Sequence, residues 1–341
     1  MHTVSDQSNP PLNLSVGFVI IGRNEGDRLK KGVLAIKELW VNSPIVYVDS
    51  GSVDDSVSFA YSKNINVIEL DLSVPFTAAR ARNAGFSLLT EKHPDLSFVQ
   101  FVDGDCELLP GWIETAIETL QSTKLAAIVS GRRIEKFPEA SIYNTIIDIE
   151  WNTPAGETIA VLGDMCVNVD VFAELGGFSE NVIATEDDEL CLRARLAGYK
   201  IYRIDAMMSK HDANIMSLNQ WFRRAKRGGH GYANIFHLHG NGPDKYFRRE
   251  LISVLVWGGV VPLAILCSLL FAPLLAGALF LMYVLFILRT SLRRLKKGDP
   301  LKIAIVYGAL IFTGKVPELA GAFQYWKNHL FSRKHLLIEY K

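Results

Sequence analysis

The sequence has no excess of charge of either sign, since its 341 residues include 36 lysines and arginines and 36 aspartates and glutamates. A balanced charge offers no overall attraction to a polyanion, and we therefore expect no nucleic-acid partner. The four cysteines form no Cys-x-x-Cys pair and no ligand spacing with histidine, which indicates reduced thiols in a protein that faces the cytosol. The first fifteen residues lack a basic region followed by an apolar one, so we predict no signal peptide.

Two common nucleotide-binding motifs are also missing. Gly22 and Gly26 are separated by three residues, a spacing that does not fit the Gly-x-Gly-x-x-Gly of dinucleotide-binding domains. The sequence contains no Gly-x-x-x-x-Gly-Lys-Ser/Thr phosphate loop either. These absences exclude both of those classes of nucleotide-binding protein.

Charge is absent from one long stretch, Leu251 to Leu288. The stretch approaches twice the ~20 residues that one membrane-spanning helix needs, and Pro273 near its middle is a natural place for a reversal. The positive-inside rule places both basic-flanked ends on the cytoplasmic side, which requires a membrane hairpin. A shallow re-entrant hairpin is the alternative, because the second half is short. The basic flanking residues are Arg248, Arg249, Arg289, Arg293, Arg294, Lys296 and Lys297.

A further apolar run, Ile303 to Thr313, is too short to predict a full span. The tail WKNHLFSRKHLLIEYK mixes basic and apolar residues, as interfacial segments do, so we predict that this region lies on the membrane or packs against the hairpin. The predicted organisation is a polar N-terminal tail (1–13), a catalytic domain (14–235), a juxtamembrane linker (236–250), a transmembrane hairpin (251–289) and a basic, apolar membrane-proximal region (290–341).

Between residues 14 and 250, short apolar runs alternate with longer amphipathic ones. The predicted strands are Val16–Ile21, Ile45–Val48, Val67–Leu70, Phe98–Val102, Ala126–Ser130 and Lys200–Ile204. The predicted helices are Glu25–Trp40, Val53–Ser62, Thr77–Leu89, Gly111–Leu120 and Asp187–Ala197. This alternation predicts an α/β fold with a mostly parallel sheet that helices cover on both faces. Ligands of such sheets bind beyond the carboxyl ends of the strands.

Acidic residues recur at those strand ends. GRNEG (22–26) follows the first predicted strand, DSGSVDDS (49–56) follows the second, and DGDCEL (103–108) follows the fourth. Each cluster also has an ordinary explanation, because aspartate and serine cap helices and carboxylates favour helix N-termini. Asp103 and Asp105, separated only by Gly104, form either a solvated turn or part of a metal site.

The order of the motifs resembles the family 2 glycosyltransferases, which are inverting enzymes with the GT-A fold. The resemblance rests on the Asn-Glu turn, on Asp-Ser-Gly-Ser-x-Asp, on ARNAG (81–85) and on Asp-x-Asp, which occur in that order. GDMCVNVDVFAELGGFSE (163–180) resembles the acceptor-side stretch of the family, and TEDDELCLRARLAGYKI (185–201) resembles its Glu-Asp helix. The resemblance covers about residues 14 to 235.

The Asp-x-Asp pair suits a divalent cation. Glycine permits the tight backbone that turns both aspartates towards one ion, and hard oxygen ligands select Mg²⁺ or Mn²⁺. Such an ion neutralises the charge that develops on a leaving nucleoside diphosphate. The resemblance implies that Asp105 is the direct ligand and that Asp103 holds the ribose or assists the ion. It also makes His211 a third-ligand candidate, although a lone histidine is as readily structural.

The resemblance implies further roles at the donor end. Asn24 and Glu25 are expected near the nucleotide, and Asp49 is expected to accept hydrogen bonds from the nucleobase. Arg82 of ARNAG is expected to help hold the nucleotide, with Arg80 as the alternative.

Four consecutive carboxylates, residues 186 to 189, open a predicted helix. The helix dipole accounts for some of them, but adjacent carboxylates also raise one another's proton affinity, which suits a general base. The family's base falls on Asp187, and Glu186 is expected on the acceptor side. That base would take the acceptor's proton in a single inverting displacement.

The segment QWFRRAKRGGHG (220–231) is basic, aromatic and rich in glycine. It is either a juxtamembrane helix attracted to anionic lipid or a gating segment whose arginines, Arg223 and Arg224, meet the diphosphate. Arg224 stands where the Gln-x-x-Arg-Trp motif of processive synthases has tryptophan, which argues against polymer synthesis.

These patterns predict a membrane-anchored inverting glycosyltransferase, a hexosyl- or deoxyhexosyltransferase, whose catalytic domain faces the cytoplasm. It would transfer one sugar from a nucleotide-sugar donor to a lipid-linked or polysaccharide-precursor acceptor. The alternatives are a processive polysaccharide synthase, a non-catalytic membrane scaffold with a decayed transferase fold, and, less well supported, a nucleotidyltransferase.

Overall fold

The computed structural model of the protein describes residues 15–242 and 244–331. The predicted N-terminal tail (1–13) and the last ten residues of the basic C-terminal tail (332–341) lie outside the described residues. The described part contains a sheet covered by helices, followed by a set of apolar helices.

The sheet has nine strands in the order β3-β2-β1-β4-β8-β6-β9-β5, with β7 paired to β9. The strands are β1 (Val16–Gly22), β2 (Ile45–Asp49), β3 (Asn66–Glu69), β4 (Phe98–Asp103), β5 (Cys106–Leu108), β6 (Ala126–Glu135), β7 (Gly156–Thr158), β8 (Met165–Asn168) and β9 (Lys200–His211). β8 runs antiparallel to both β4 and β6, so β6 and β9 share the direction of β1 to β4. The predicted fold, a mostly parallel sheet flanked by helices, is confirmed.

Every predicted strand and helix forms, with shifted ends. The helices of the sheet region are α1 (Asp27–Leu39), α2 (Ser56–Ser62), α3 (Ala78–Lys92), α4 (Trp112–Ser122), α5 (Ile142–Trp151), α6 (Val169–Glu174), α7 (Glu186–Leu196) and α8 (Leu218–His239), with a short 3₁₀ turn at Pro138–Ala140. β6 and β9 are much longer than predicted and reach Glu135 and His211. α8 continues across the predicted boundary between residues 235 and 236.

The central strands are buried because helices cover both faces of the sheet. Phe18, Tyr47 and Trp112 belong to the core on one face, and Phe101 and Leu89 belong to the core on the other. α3 lies unusually close to β1 at Gly85, where an added Cβ would be 2.4 Å from a methyl group of Val19. This close packing sets the position of ARNAG relative to the strand ends.

The C-terminal helices are α9 (Arg248–Leu255), α10 (Val261–Phe271), α11 (Pro273–Lys296), α12 (Leu301–Thr313) and α13 (Lys315–Leu330), and a π-helical turn (Val256–Val260) joins α9 to α10. In the described part of the chain, three helical stretches are long and apolar enough to cross a membrane: Arg248–Phe271, Pro273–Lys296 and Leu301–Leu330. α10 packs against α11, so the chain reverses at Pro273 as predicted.

The third apolar run differs from the prediction. Ile303–Thr313 alone is short, but only Gly314 separates α12 from α13, and together they give a candidate span of 30 residues. α12 packs against α11, and α13 packs against α8 of the sheet region. Glycines allow this second contact, since a Cβ on Gly229 or Gly321 would lie 1.9 Å from a backbone oxygen of the opposite helix. The sequence pattern missed the length of the stretch because polar residues interrupt α13.

Candidate active site

A cleft of about 1050 Å³ opens at the carboxyl ends of β1 and β4. The sheet region forms one side of it, and α8, α12 and α13 form the other. Its charged and polar lining includes Asn24, Glu25, Ser50, Arg82, Asp103, Asp105, Arg133, Glu150, Asp187, Asp188, His211, Arg224, Arg227, Lys315 and Glu318. The structure therefore brings most of the predicted site residues to one place.

The Asp-Gly-Asp segment is held tightly against β1. β4 ends at Asp103, and the Gly104 N–H donates a hydrogen bond of 2.8 Å to the Ile21 carbonyl oxygen. A Cβ on Gly104 would lie 3.0 Å from that same oxygen, so a side chain there would be crowded. The next strand, β5, starts at Cys106 and pairs with β9, which leaves Asp105 at the bend between two strands.

A group of possible metal ligands forms at this bend. One ligand atom from each of Asp103, Asp105, Cys106 and His211 lies within 4.8 Å of the others. His211 stands opposite Cys106 in the β5–β9 pairing, and its Nε2 is 3.3 Å from Asp105 Oδ1. Two carboxylates and an imidazole fit Mg²⁺ or Mn²⁺. Burial raises the pKa of the Cys106 thiol well above its usual range, and a hard cation prefers the oxygen and nitrogen atoms of the group to this sulfur.

Arg82 connects the two acidic sides of the cleft. Its Nη2 donates to Asp103 Oδ1 and its Nη1 donates to Glu186 Oε1, both at 2.7 Å. Arg80, the predicted alternative, instead donates to the backbone oxygens of Asp71 and Val74 and does not line the cleft. Of the two arginines, only Arg82 reaches the site.

Sequence reasoning missed Arg133 and Asp164, which support Asp103 from behind. Asp164 is fully buried; its Oδ1 accepts a 2.8 Å hydrogen bond from the Asp103 N–H, and its Oδ2 lies 2.9 Å from Arg133 Nη2. The same Arg133 nitrogen lies 3.6 Å from Asp103 Oδ2. Asp164 lies inside the motif at 163–180. Arg133 lies in the last part of β6, beyond Ser130, where the predicted strand ended.

The charges around Asp103 favour its ionised form. Burial by itself would disfavour that form, but Arg82 and Arg133 outweigh burial and lower the pKa of the Asp103 carboxyl. An ionised carboxylate at this position is ready to bind a cation or a ribose hydroxyl.

The carboxylates at the start of α7 behave in the opposite way. Asp187 and Asp188 are half-buried in the cleft wall, and Asp187 Oδ1 accepts a 3.0 Å hydrogen bond from the Asp188 N–H. Burial, followed by the charges of Glu186 and Asp188, raises the pKa of Asp187 to about 8, against the pull of Arg82. Burial raises the pKa of Asp188 to about 6, although a hydrogen bond from Tyr246 works against the shift. High proton affinity is the property that a general base needs.

At the donor end, Asn24 and Glu25 line the cleft as predicted, while Asp49 does not. Asn24 has a left-handed backbone with φ 56°, and its side-chain oxygen accepts a 2.8 Å hydrogen bond from the Val53 N–H. Glu25 forms an ion pair of 2.8 Å with Arg28.

Asp49 is 2% exposed and holds its own loop. Its carboxylate accepts hydrogen bonds from the N–H groups of Gly51 and Ser52 and from the hydroxyl of Tyr47. The adjacent Ser50 lines the cleft in its place. The N-cap residue of α2 is Asp55, so neither Asp49 nor Ser52 caps that helix. Contact between Asp49 and a nucleobase stays a prediction.

Helix α8 presents only some of its arginines to the cleft. Arg224 lines the cleft and forms a 3.0 Å ion pair with Glu150, whereas Arg223 is exposed and lies outside it. Arg227, which sequence reasoning did not select, also lines the cleft because it lies three residues after Arg224 on the same helix face. The prediction for Arg223 is therefore not supported by its position.

Comparison with known proteins agrees with this geometry. Residues 18–165 match the family model described as Glycosyl transferase family 2. The glycosyltransferase AglE of Haloferax volcanii is 21% identical over 253 residues, which cover 71% of this chain and 79% of AglE. A similar structure is that of the mannosyltransferase PcManGT from Pyrobaculum calidifontis in complex with GDP-Man and Mn²⁺. Its TM-score is 0.59 and its sequence identity is 16%, and the match covers 94% of this chain and 88% of PcManGT. TarS of S. aureus matches with a TM-score of 0.44 and 13% identity. This match covers 64% of this chain and only 40% of TarS.

The matched segment contains the donor-end turn, Arg82, Asp103, Asp105 and Asp164. The likeness to PcManGT extends over the sheet and the apolar C-terminal helices alike. Together with the ordered motifs, these findings confirm the predicted resemblance to the family 2 glycosyltransferases: the family model matches residues 18–165, the fold is of the GT-A type, and apolar helices follow at the C-terminus.

Proposed function

We propose that the protein is a membrane-anchored, inverting glycosyltransferase that moves one sugar from a nucleotide donor to a lipid-linked or polysaccharide-precursor acceptor, in the synthesis of a cell-envelope glycan. One observation carries the proposal. Arg82 bridges Asp103, in the possible metal group, to Glu186, the neighbour of Asp187. A metal-bound diphosphate and a base for the acceptor would thus face each other across one cleft.

The donor would bind between the β1 turn and the Asp-x-Asp bend. Asn24 and Glu25 would lie beside the nucleotide, and Asp103, Asp105 and His211 would hold Mg²⁺ or Mn²⁺. Once bound, the ion would offset the negative charge on the departing nucleoside diphosphate. Because PcManGT was solved with GDP-Man and Mn²⁺, that pair is the first donor and metal to try.

Asp187 would act as the base. It would remove the proton of the acceptor hydroxyl while that oxygen attacks the anomeric carbon on the face opposite the diphosphate, which inverts the configuration in one displacement. Its raised proton affinity suits this step. Glu186 would keep Arg82 oriented, and Arg224 and Arg227 would meet the diphosphate or the acceptor.

The acceptor end supports a substrate at the membrane. Leu310 and Ile311 of α12 and Lys315 of α13 line the cleft, and all three belong to a candidate membrane span. A substrate held in the bilayer would therefore meet the cleft directly. The basic residues around the first two spans favour a catalytic domain that faces the cytoplasm.

The test is donor turnover by the full-length protein in lipid nanodiscs. With Mn²⁺ and a panel of nucleotide sugars, we expect at least one donor to release nucleoside diphosphate. Asp187→Asn should lower turnover by about 100-fold or more, the range of general base catalysis, and should leave the donor dissociation constant unchanged. Asp170→Asn, at an exposed position of α6 outside the cleft, is the matched control. Full turnover in Asp187→Asn would refute the base assignment, and no turnover of any donor would support a non-catalytic scaffold.

A further inference from the structure

A short turn between α8 and α9, residues 244–247, folds back onto the helix that carries Asp187. We refer to it as the juxtamembrane turn, because α9 and the first candidate span begin immediately after it. Tyr246 is buried in a small apolar cluster with Val182, Leu192 and Ile235. Lys245 and Phe247 have left-handed backbones, with φ of 45° and 56°. Non-glycine residues adopt that conformation at a cost, so the surrounding contacts must hold the turn in place.

Three contacts attach the turn to α7. The Tyr246 hydroxyl donates a 3.0 Å hydrogen bond to Asp188 Oδ1. The Arg195 guanidinium lies over the Tyr246 ring at 5.4 Å, and its Nη1 is 2.7 Å from Asp244 Oδ2. Phe247 packs on Tyr246 with ring centroids 4.6 Å apart, and Phe247 itself lines the cleft. The turn is therefore part of the wall of the active site.

We propose that the juxtamembrane turn belongs to the catalytic machinery and that Tyr246 is a positioning residue, which acts through Asp188 on the base Asp187. The proposal rests on the proposed function, because it takes Asp187 as the base. It adds that the turn before the membrane anchor is attached to the helix that carries the base, with the Tyr246 hydroxyl bound to Asp188 next to Asp187, so that the position of α9 bears on catalysis.

The electrostatic argument concerns the pair Asp187 and Asp188. The hydroxyl of Tyr246 stabilises the ionised form of Asp188, and an ionised Asp188 repels the negative charge on Asp187 and so increases its proton affinity. Without the hydroxyl, Asp188 would take up a proton more readily, and Asp187 would become a weaker base. The charged and titratable groups that face the pair are Glu186, Cys191 and Arg195 on α7 itself, Arg82 on α3, Tyr232 on α8 and Glu250 on α9.

The conservative variant Tyr246→Phe removes only the hydroxyl and keeps the ring in its cluster. We expect turnover at the optimal pH to fall about 3- to 10-fold, because a hydrogen bond to a charged group stabilises that charge and part of this stabilisation acts on the base. The acid limb of the pH–rate profile should move to lower pH by about half a unit. Tyr199→Phe is the matched control, since Tyr199 also donates to a carboxylate, Glu174 at 2.6 Å, but lies outside the cleft.

A double-mutant cycle tests whether Tyr246 acts through Asp188. Asp188→Asn removes the charge and should also move the acid limb to lower pH. In the Asp188→Asn background, Tyr246→Phe should then cause no further shift. Additive shifts, or an unchanged profile in Tyr246→Phe, would overturn the proposal. If Asp187→Asn keeps full turnover, the proposed function fails instead, so the two failures are distinguishable.

A measurement of unfolding needs no substrate. The hydrogen bond from Tyr246 makes the pKa of Asp188 lower in the wild type than in Tyr246→Phe. The hydrogen bond therefore stabilises the wild type while Asp188 is ionised, and this stabilisation is lost as the pH falls through the pKa of Asp188. The difference in Tm between the wild type and Tyr246→Phe should therefore be larger at pH 8 than at pH 5, the two sides of the value of about 6. The same difference at both pH values would contradict the proposal.

Discussion

The two acidic sides of the cleft contain the same kind of side chain in opposite environments. Asp103 lies between Arg82 and Arg133, and its pKa is lowered despite burial. Asp187 lies among other carboxylates, and burial raises its pKa to about 8 although the charge of Arg82 works against the shift. The surroundings of the first therefore favour its ionised form, and those of the second favour its protonated form.

This difference teaches how one cleft can serve two chemical roles. Neighbouring guanidinium groups keep a carboxylate ionised, which suits metal binding, whereas burial beside like charges gives a carboxylate the proton affinity of a base. Arg82 contacts both sides, through Asp103 and Glu186, and so couples them. Changes on the metal side should act on donor and metal binding, and changes on the base side should act on the pH profile.

The largest expected effect is on the metal side. Asp105→Asn removes one charge from the proposed metal group, and we expect turnover to fall by about 1,000-fold, because the ion contributes several kcal/mol to the transition state. Nucleoside diphosphate release at saturating Mn²⁺ measures the loss. Asp95→Asn, at an exposed residue before β4, is the control. If Asp105→Asn keeps wild-type turnover, the proposed metal group around Asp103 and Asp105 is contradicted.

A smaller effect is expected for His211. If its Nε2 is a ligand beside Asp105, His211→Gln should weaken Mn²⁺ binding by about 10- to 100-fold, the range seen even for groups that only support ligands. Electron paramagnetic resonance of free Mn²⁺ during a titration measures the affinity. His93→Gln, at the end of α3 and outside the cleft, is the control. Unchanged Mn²⁺ affinity would leave His211 as the structural partner of Trp151, whose ring lies 4.7 Å away.

The smallest effect is a gradual change of turnover with pH, and it concerns Asp187. The base must be ionised, and the ionised fraction of Asp187 falls as the pH drops below its raised pKa of about 8. Turnover at saturating donor should therefore decrease about tenfold per pH unit on the acid side of that value. Mn²⁺ affinity should change less over the same range, since Asp103 stays ionised there. An acid limb near pH 4 would place the base elsewhere.

Most of the site could be predicted from the chain because its residues follow strands. Asp103 at the end of β4, Asp105 two residues later, Arg82 in ARNAG and Asp187 at the start of α7 all line the cleft. The prediction selected Arg223 and Arg224, but the rotation of α8 places Arg224 and Arg227 in the cleft and leaves Arg223 outside it. A basic run does not reveal which face of its helix meets the sheet.

The residues that were missed depend on pairing between distant segments. Arg133 reaches Asp103 only because β6 continues beyond the predicted end, and Asp164 reaches Asp103 across 61 residues of chain. Tyr246 meets Asp188 across 58 residues, through a turn with no motif of its own. Such contacts leave no periodic signal, since each depends on how elements cross in space.

Local periodicity and composition were enough to predict the alternation of strands and helices, the order of the strand-end motifs and the apolar segments at the C-terminus. Folding sets the direction in which the pKa of each carboxyl group shifts, selects the arginines that line the cleft, and brings α12 and α13 to its wall. The pKa of a carboxyl group depends on burial and on charges brought close by folding. The position of a helix depends on close contacts such as those at Gly229 and Gly321.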